Sequence, residues 1–249
     1  MLICVFTKAQ SQKQRTLRWK SDTLNSHYTE KFDDSTLLNC QFHKQFIWCT
    51  NRGKAALKIN QHLAEISTGI AYSDADSFRD EIKNQNLAFR QAWQQDAVNP
   101  SRTDSFYSST NNWYSISDMK VIFEDRCWLT IQIDNESYVG GETVHYKTQL
   151  ATFFKHKGTR ICRWQELVTD TLALLRLAEA RFRTEKNIPD EEHPFERWFN
   201  GGPFQLCQNF GFTTEGLLFI YNNCEIASCS EGGTDLLIPR KHLNKYLKK

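Results

Sequence analysis

The run FTTEGLLFIYNNCEIASCSEGGTDLLIP, Phe212–Pro239, holds short apolar and aromatic stretches and is broken twice by turn residues. Short apolar runs bounded by turn residues read as strands. Strands are predicted over Gln205–Phe212, Leu217–Tyr221, Glu225–Cys229 and Asp235–Ile238. The clusters Thr213-Thr214-Glu215-Gly216 and Ser230-Glu231-Gly232-Gly233 have the chemistry of hairpin turns. Alternation places Phe212, Leu217, Phe219, Ile226 and Ile238 on the buried faces of one antiparallel sheet. A short helix is expected from about Arg240.

Upstream the period lengthens. A helix is expected over Thr169–Lys186, with Leu172, Leu175 and Ala178/Glu179 marking its faces and Pro189 beyond its end. The segment from Pro189 to Pro203 reads as a loop. Before it, Lys120–Glu124, Cys127–Ile133 and Val144–Phe154 read as strands, with Asp134-Asn135-Glu136 and Gly140-Gly141 as turns. The Ser-, Thr- and Asn-rich stretch after Asn99-Pro100-Ser101 reads as a loop to Asn112. Two helices precede it. One runs through Ser67 from an N-cap at Asn51, with Ala56, Ile59, Leu63 and Ile66 at helical spacing. The other covers Ser77–Ala97, with Phe78, Ile82, Phe89 and Trp93 on one face. CQFHKQFIWCT, Cys40–Thr50, reads as a strand, and Gln10–Asn39 as a polar extension with Trp19, Tyr28 and Phe32 as anchors. Helices and strands in separate runs indicate an α+β protein, antiparallel sheets with helices packed on them, not a parallel βαβ sheet. The expected division is 1–9, 10–39, 40–137 and 138–249.

The formal net charge of +2 over 249 residues, with basic and acidic residues interspersed, excludes the electrostatic footprint of a nucleic-acid binder. Beyond the N-terminus no stretch approaches the ~18 apolar residues of a membrane span. Met1–Phe6 is apolar, Thr7 and Ala9 occupy the small-residue positions of a signal-peptidase site, and a polar run follows. Residues 1–9 are therefore expected to be the remnant of a secretory signal, the mature chain to begin near Gln10, and the protein to be exported, to the periplasm or beyond. The eight cysteines form no CxxC pair and no zinc-type cluster with histidine. They read as core thiols for the most part, with one or two disulfides as the alternative.

Phe212, Thr214, Gly216, Leu217, Phe219, Tyr221, Glu225, Ile226, Ala227, Ile238, Pro239 and Leu243 together resemble the end of a bacterial extracytoplasmic domain family. That family includes the lysozyme-sensing anti-sigma factor of the RsiV type and the accessory domain of a peptidoglycan deacetylase of the PdaC type. Tyr138-Val139-Gly140-Gly141 resembles the family's Tyr-x-Gly-Gly turn, WQELVTD its strand-to-helix entry, and Lys58-Ile59-Asn60 part of its companion N-terminal region. The resemblance covers about Cys40–Leu247. Glu142-Thr143 replaces the family's Ala-His after the paired glycines, and Cys224 stands where an aromatic is common. The resemblance implies an envelope binding or sensing module whose partner is a basic protein such as lysozyme, or peptidoglycan.

No local signature supports a Cys/His nucleophile, no Gly-rich loop follows a strand to cradle phosphate, and paired carboxylates cannot be assigned by spacing. No cofactor and no metal are expected. The reading is of a non-catalytic binder; the alternative is an enzyme acting on cell-wall glycan. Candidate binding residues are Glu142 at the glycine turn, the acidic Asp190, Glu191 and Glu192, and the adjacent aromatics Phe195 and Trp198. If exposed, these aromatics would form a partner patch; if buried, they pin the loop. Glu225 is expected to hydrogen-bond a turn backbone.

Overall fold

The computed structural model describes residues 16–32, 36–96, 112–141, 143–189, 195, 197–243 and 245–248. The expected signal remnant, and the loop from 97 to 111, lie outside them. Thirteen elements organise the rest: β1 (Trp19–Lys31), β2 (Leu37–Cys49), α1 (Lys54–Thr68), α2 (Ala75–Asp96), β3 (Trp113–Glu124), β4 (Trp128–Tyr138), β5 (His145–Phe154), β6 (Thr159–Ile161), α3 (Thr171–Lys186), β7 (Phe210–Phe212), β8 (Gly216–Tyr221), β9 (Thr234–Pro239) and α4 (Arg240–Leu243). One sheet has the order β1-β2-β3-β4-β5-β6 and the other β7-β8-β9. The fold is α+β, as the sequence predicts. The chain divides into two compact units, one of Leu17–Lys120 with Ile133–Lys147, the other of Val121–Gln132 with Thr148–Lys249.

In the first unit β1 and β2 form a long antiparallel hairpin, registered from Trp19 opposite Cys49 to Lys31 opposite Leu37. The polar composition of β1 hid it from sequence reading: its residues alternate between exposed and half-buried, so apolar periodicity is weak. α1 and α2 then carry the chain back so that β3 runs parallel to β2, from Cys40 opposite Trp113 to Gln45 opposite Asp118. That crossover is a departure from the antiparallel-only expectation, and a helical return is what a parallel pair requires. Leu38, Cys40, Phe42 and Phe46 of β2 are buried with Ala64, Phe78, Ile82 and Trp93 of the helices. Gly53, not Asn51, caps α1; the Asn51 side chain accepts from the Arg18 amide instead. Asp74 accepts from the Ser77 amide at 2.8 Å and starts α2.

In the second unit α3 starts at Asp170, whose carboxylate accepts from the Ala173 amide, and buries Leu174, Ala178 and Phe182. Leu172, read as marking one face, is exposed. β7, β8 and β9 pair antiparallel and bury Phe212, Leu217, Phe219 and Ile238, as predicted; Ile226 is buried too, but outside the sheet. Gly216 is required where it stands, because a Cβ there would lie 2.1 Å from the Ile238 carbonyl oxygen. Three segments differ from expectation. Gln205–Asn209, expected to belong to a strand, lies outside β7. In the first unit, Asp134–Glu136 lies inside β4 and makes no turn. Glu225–Cys229 is not a strand: Cys224 adopts φ 65° and is disulfide-bonded to Cys229, and the Glu225 carboxylate accepts from the Asn222 amide at 2.7 Å. The carboxylate thus serves the turn backbone. Asn209 stitches β5 to the smaller sheet, its side chain accepting from the Leu150 amide and donating to the Thr148 carbonyl at 2.7 Å each.

Candidate functional site

Of the six candidate binding residues, Glu142, Asp190, Glu191 and Glu192 lie outside the described residues. Phe195 and Trp198 are 1% and 8% exposed. They pack with Phe182, Phe199 and Phe204, with Phe182 at 6.1 Å from Phe195 and 5.4 Å from Trp198 between ring centroids. The Arg183 guanidinium covers Phe195 at 4.3 Å, and the Lys186 ammonium stands 4.6 Å from the Trp198 ring centroid. Of the two readings of this cluster the buried one holds: the rings pin the chain after α3 and offer no exposed aromatic anchor.

A different surface emerges in the first unit. From Leu38 to Phe46 the even-numbered residues of β2 are buried toward the helices, so the odd-numbered Asn39, Gln41, His43 and Gln45 turn outward together with their cross-strand neighbours. The register sets side chains in rungs: His27–Gln41–Tyr114, then Asn25–His43–Ile116, then Thr23–Gln45–Asp118. Asn25, His27, Gln41, His43, Ile116 and Asp118 line an open cleft of about 540 Å³.

Its polar groups are largely tied to one another. One ring nitrogen of His43 pairs with the Asp118 carboxylate at 3.1 Å and the other with the Asn25 side-chain oxygen. The His27 ring meets the Asn39 side-chain oxygen at 3.1 Å, which also accepts from Thr29. The Gln45 amide donates to Ser21 and accepts from the Met119 backbone. The side chain of Gln41, on the rung between these pairs, makes no hydrogen bond among the described residues. The same face continues onto β4. There Lys120 pairs with Asp134 at 3.0 Å and the Tyr114 hydroxyl donates to Glu136 at 2.9 Å. Loss of hydration and the Glu136 carboxylate push the Tyr114 hydroxyl up to about 12. Tyr146 is shifted upward as well, chiefly by Glu136. These phenols stay protonated, as hydrogen-bond donors, at any physiological pH.

The sequence carried one signal for this site that apolar periodicity does not weigh. Polar residues at every second position of two consecutive runs, Asn25-x-His27-x-Thr29 and Asn39-x-Gln41-x-His43-x-Gln45, mark one shared sheet face.

The buried thiols offer little chemistry, and of the free cysteines among the described residues Cys162 is exposed. Cys40 and Cys49 are buried in β2, and burial pushes the thiols of Cys40 and Cys207 up to about 11 and about 12. Cys127 is disulfide-bonded. Among the described residues no group of three or more His, Cys, Asp or Glu side chains is arranged to hold a metal ion.

Residues 146–241, from β5 to α4, match the family described as Protein of unknown function (DUF3298). No curated protein matches the chain. A crystal structure of a member of the DUF3298 family from Bacteroides fragilis is similar in fold, with a TM-score of 0.76 at 16% identity over 95% of each chain. A DUF3298 family protein from Pseudomonas aeruginosa gives a TM-score of 0.59 at 15% identity, over 94% of this chain and 96% of that one.

Proposed function

We propose that this chain is an exported, non-catalytic module of the bacterial envelope that binds its partner and leaves it unchanged. The observation that carries the reading is the outward face of β1–β3. Its polar side chains stand on long hydrogen-bonded strands and hold one another in fixed orientations, as at a pre-organised binding surface. The Cys224–Cys229 disulfide supports export, since disulfides persist in oxidising compartments. The resemblance to the RsiV-type and PdaC-type domains supports an envelope setting, with a basic protein such as lysozyme or peptidoglycan itself as the partner.

The His43–Asp118 pair favours an alternative, an enzyme acting on wall glycan, because a carboxylate-oriented imidazole is the core of many acid–base devices. The group on the other ring nitrogen speaks against it. That position, where a triad places its nucleophile, is held by the Asn25 amide oxygen, which is no nucleophile and has no proton to give up.

Two experiments test the proposal. Fractionation of the host and N-terminal sequencing should find the mature chain outside the cytoplasm, beginning near Gln10; cytosolic protein with an intact Met1 would refute export. Calorimetry with purified lysozyme tests that partner: heat of binding at tens of micromolar supports it, and silence removes lysozyme from the reading.

A further inference from the structure

We infer that the cleft on the outward face of β1–β3 is a binding site for a neutral oligosaccharide. The inference deepens the binding-module reading and rests on it.

The charge pattern comes first. Within the cleft the Asp118 carboxylate is engaged by the His43 ring at 3.1 Å, no Lys or Arg stands among the lining residues, and beyond it Lys120 pairs with Asp134 at 3.0 Å. A cleft with one carboxylate, already hydrogen-bonded, and no cation of its own has no cluster of like charges with which to select a strongly charged ligand, which leaves an uncharged one as its complement. The donor and acceptor pattern comes second. Gln41 presents an amide with both a donating nitrogen and an accepting oxygen, and Asn25, whose oxygen is engaged by His43, presents its donating nitrogen. His27 stands on the same rung as Gln41, and Asn25 on the next. Sugar hydroxyls also donate and accept, so a pair of neighbouring hydroxyls meets such an amide with both functions satisfied. The Gln41 side chain hydrogen-bonds to no described residue and is exposed, which leaves both functions available. The third element is apolar. Ile116 lines the cleft beside His43, and the Tyr114 ring is the rung neighbour of Gln41. A pyranose carries a C–H face as well as hydroxyls, and these side chains give that face a place to rest. The open, shallow form of the cleft suits a chain that lies across strands, and not a small molecule enclosed on all sides.

Nitrogen-15 NMR titration of the intact chain with chitotetraose and, separately, cellotetraose tests this. We expect amide shifts centred on Asn25, His27, Gln41 and His43 with at least one of the two, at a Kd of about 1 mM, typical of a few hydrogen bonds over an open surface. Gln41→Ala and His27→Ala should each weaken binding about five-fold. Both positions are exposed, and an unchanged spectrum elsewhere will show that each variant is folded. No shifts with either sugar at about 10 mM would overturn the inference. So would shifts confined to other residues and indifferent to both substitutions. Calorimetry of the same variants with lysozyme separates the two levels: lysozyme heat without glycan shifts sinks the cleft as a glycan site and leaves the binding module standing.

Discussion

Asn60 lies on the buried face of α1, a position where an apolar residue would be the simple choice. Its side-chain oxygen accepts from the Cys49 amide at 2.8 Å and its nitrogen donates to the Cys49 carbonyl at 2.9 Å. One side chain thereby satisfies both backbone groups at the end of β2 and fixes the helix against the strand. Asn60→Leu strands both of them in the core and should cost about 1–3 kcal/mol in urea unfolding. Lys44 is a second buried polar residue, 8% exposed, with its ammonium donating to the Ser67 carbonyl at 2.9 Å and to Gln85 at 3.0 Å. Burial lowers its pKa from 10.5 to about 8, partly opposed by Glu81. A folded-state value below the unfolded one means that folding disfavours the proton. The resulting stability is fully present above 10.5 and is lost as pH falls through about 8. Compared with Lys44→Met, the wild type should therefore gain stability as pH rises across that window. The difference between the two cancels the opposing contribution of the buried thiols of Cys40 and Cys207. A difference that stays flat would show that the ammonium is solvated. Phe219, fully buried in β8, is the simplest case: Phe219→Ala should cost about 3–5 kcal/mol, and an unchanged denaturation midpoint would contradict its place in the core.

At the scale of elements, what the sequence disclosed depended on how strongly each element is patterned by burial. α1, α2 and α3 bury apolar residues at helical spacing and were legible to within a few residues. β9 alternates in burial and β8 is a short apolar run between turn residues, so both are legible too. β1 was not, because neither of its faces is strongly apolar, and the parallel pairing of β2 with β3 has no local signature at all. Glu225–Cys229 alternated like a strand, but a disulfide over so short a span and a residue at positive φ impose a closed loop instead. The same holds for the candidate site. Acidic and aromatic residues near Phe195 attracted attention as a cluster in sequence, yet the rings went inward because α3 presents Phe182 to them. The polar rungs of β1–β3 are far apart in the chain and become neighbours only through register. Two outcomes follow for elements. Gly216→Ala should cost more than the ~1 kcal/mol of an ordinary surface change, since the added methyl collides with the Ile238 backbone. Reducing Cys224–Cys229 should lower stability by about 2 kcal/mol, the value expected for closing so short a loop. It should leave glycan-induced shifts at Gln41 and His43 unchanged, because those residues belong to the other unit.

At the scale of the whole molecule, the features that bear on function are divided between the two units. The second unit carries nearly all of the DUF3298 match, most of the envelope-type resemblance and the disulfide; the first carries the outward polar face. Binding without conversion is the claim that joins them. Its most direct test is to incubate the purified chain with washed envelope of the host bacterium. The chain that sediments with the envelope is then measured, and the wall glycan is digested and weighed by mass spectrometry. The account predicts that the chain is carried down with the envelope while every wall fragment keeps its mass. A chain that stays in the supernatant, or fragments newly cleaved or deacetylated in proportion to the chain added, would contradict it.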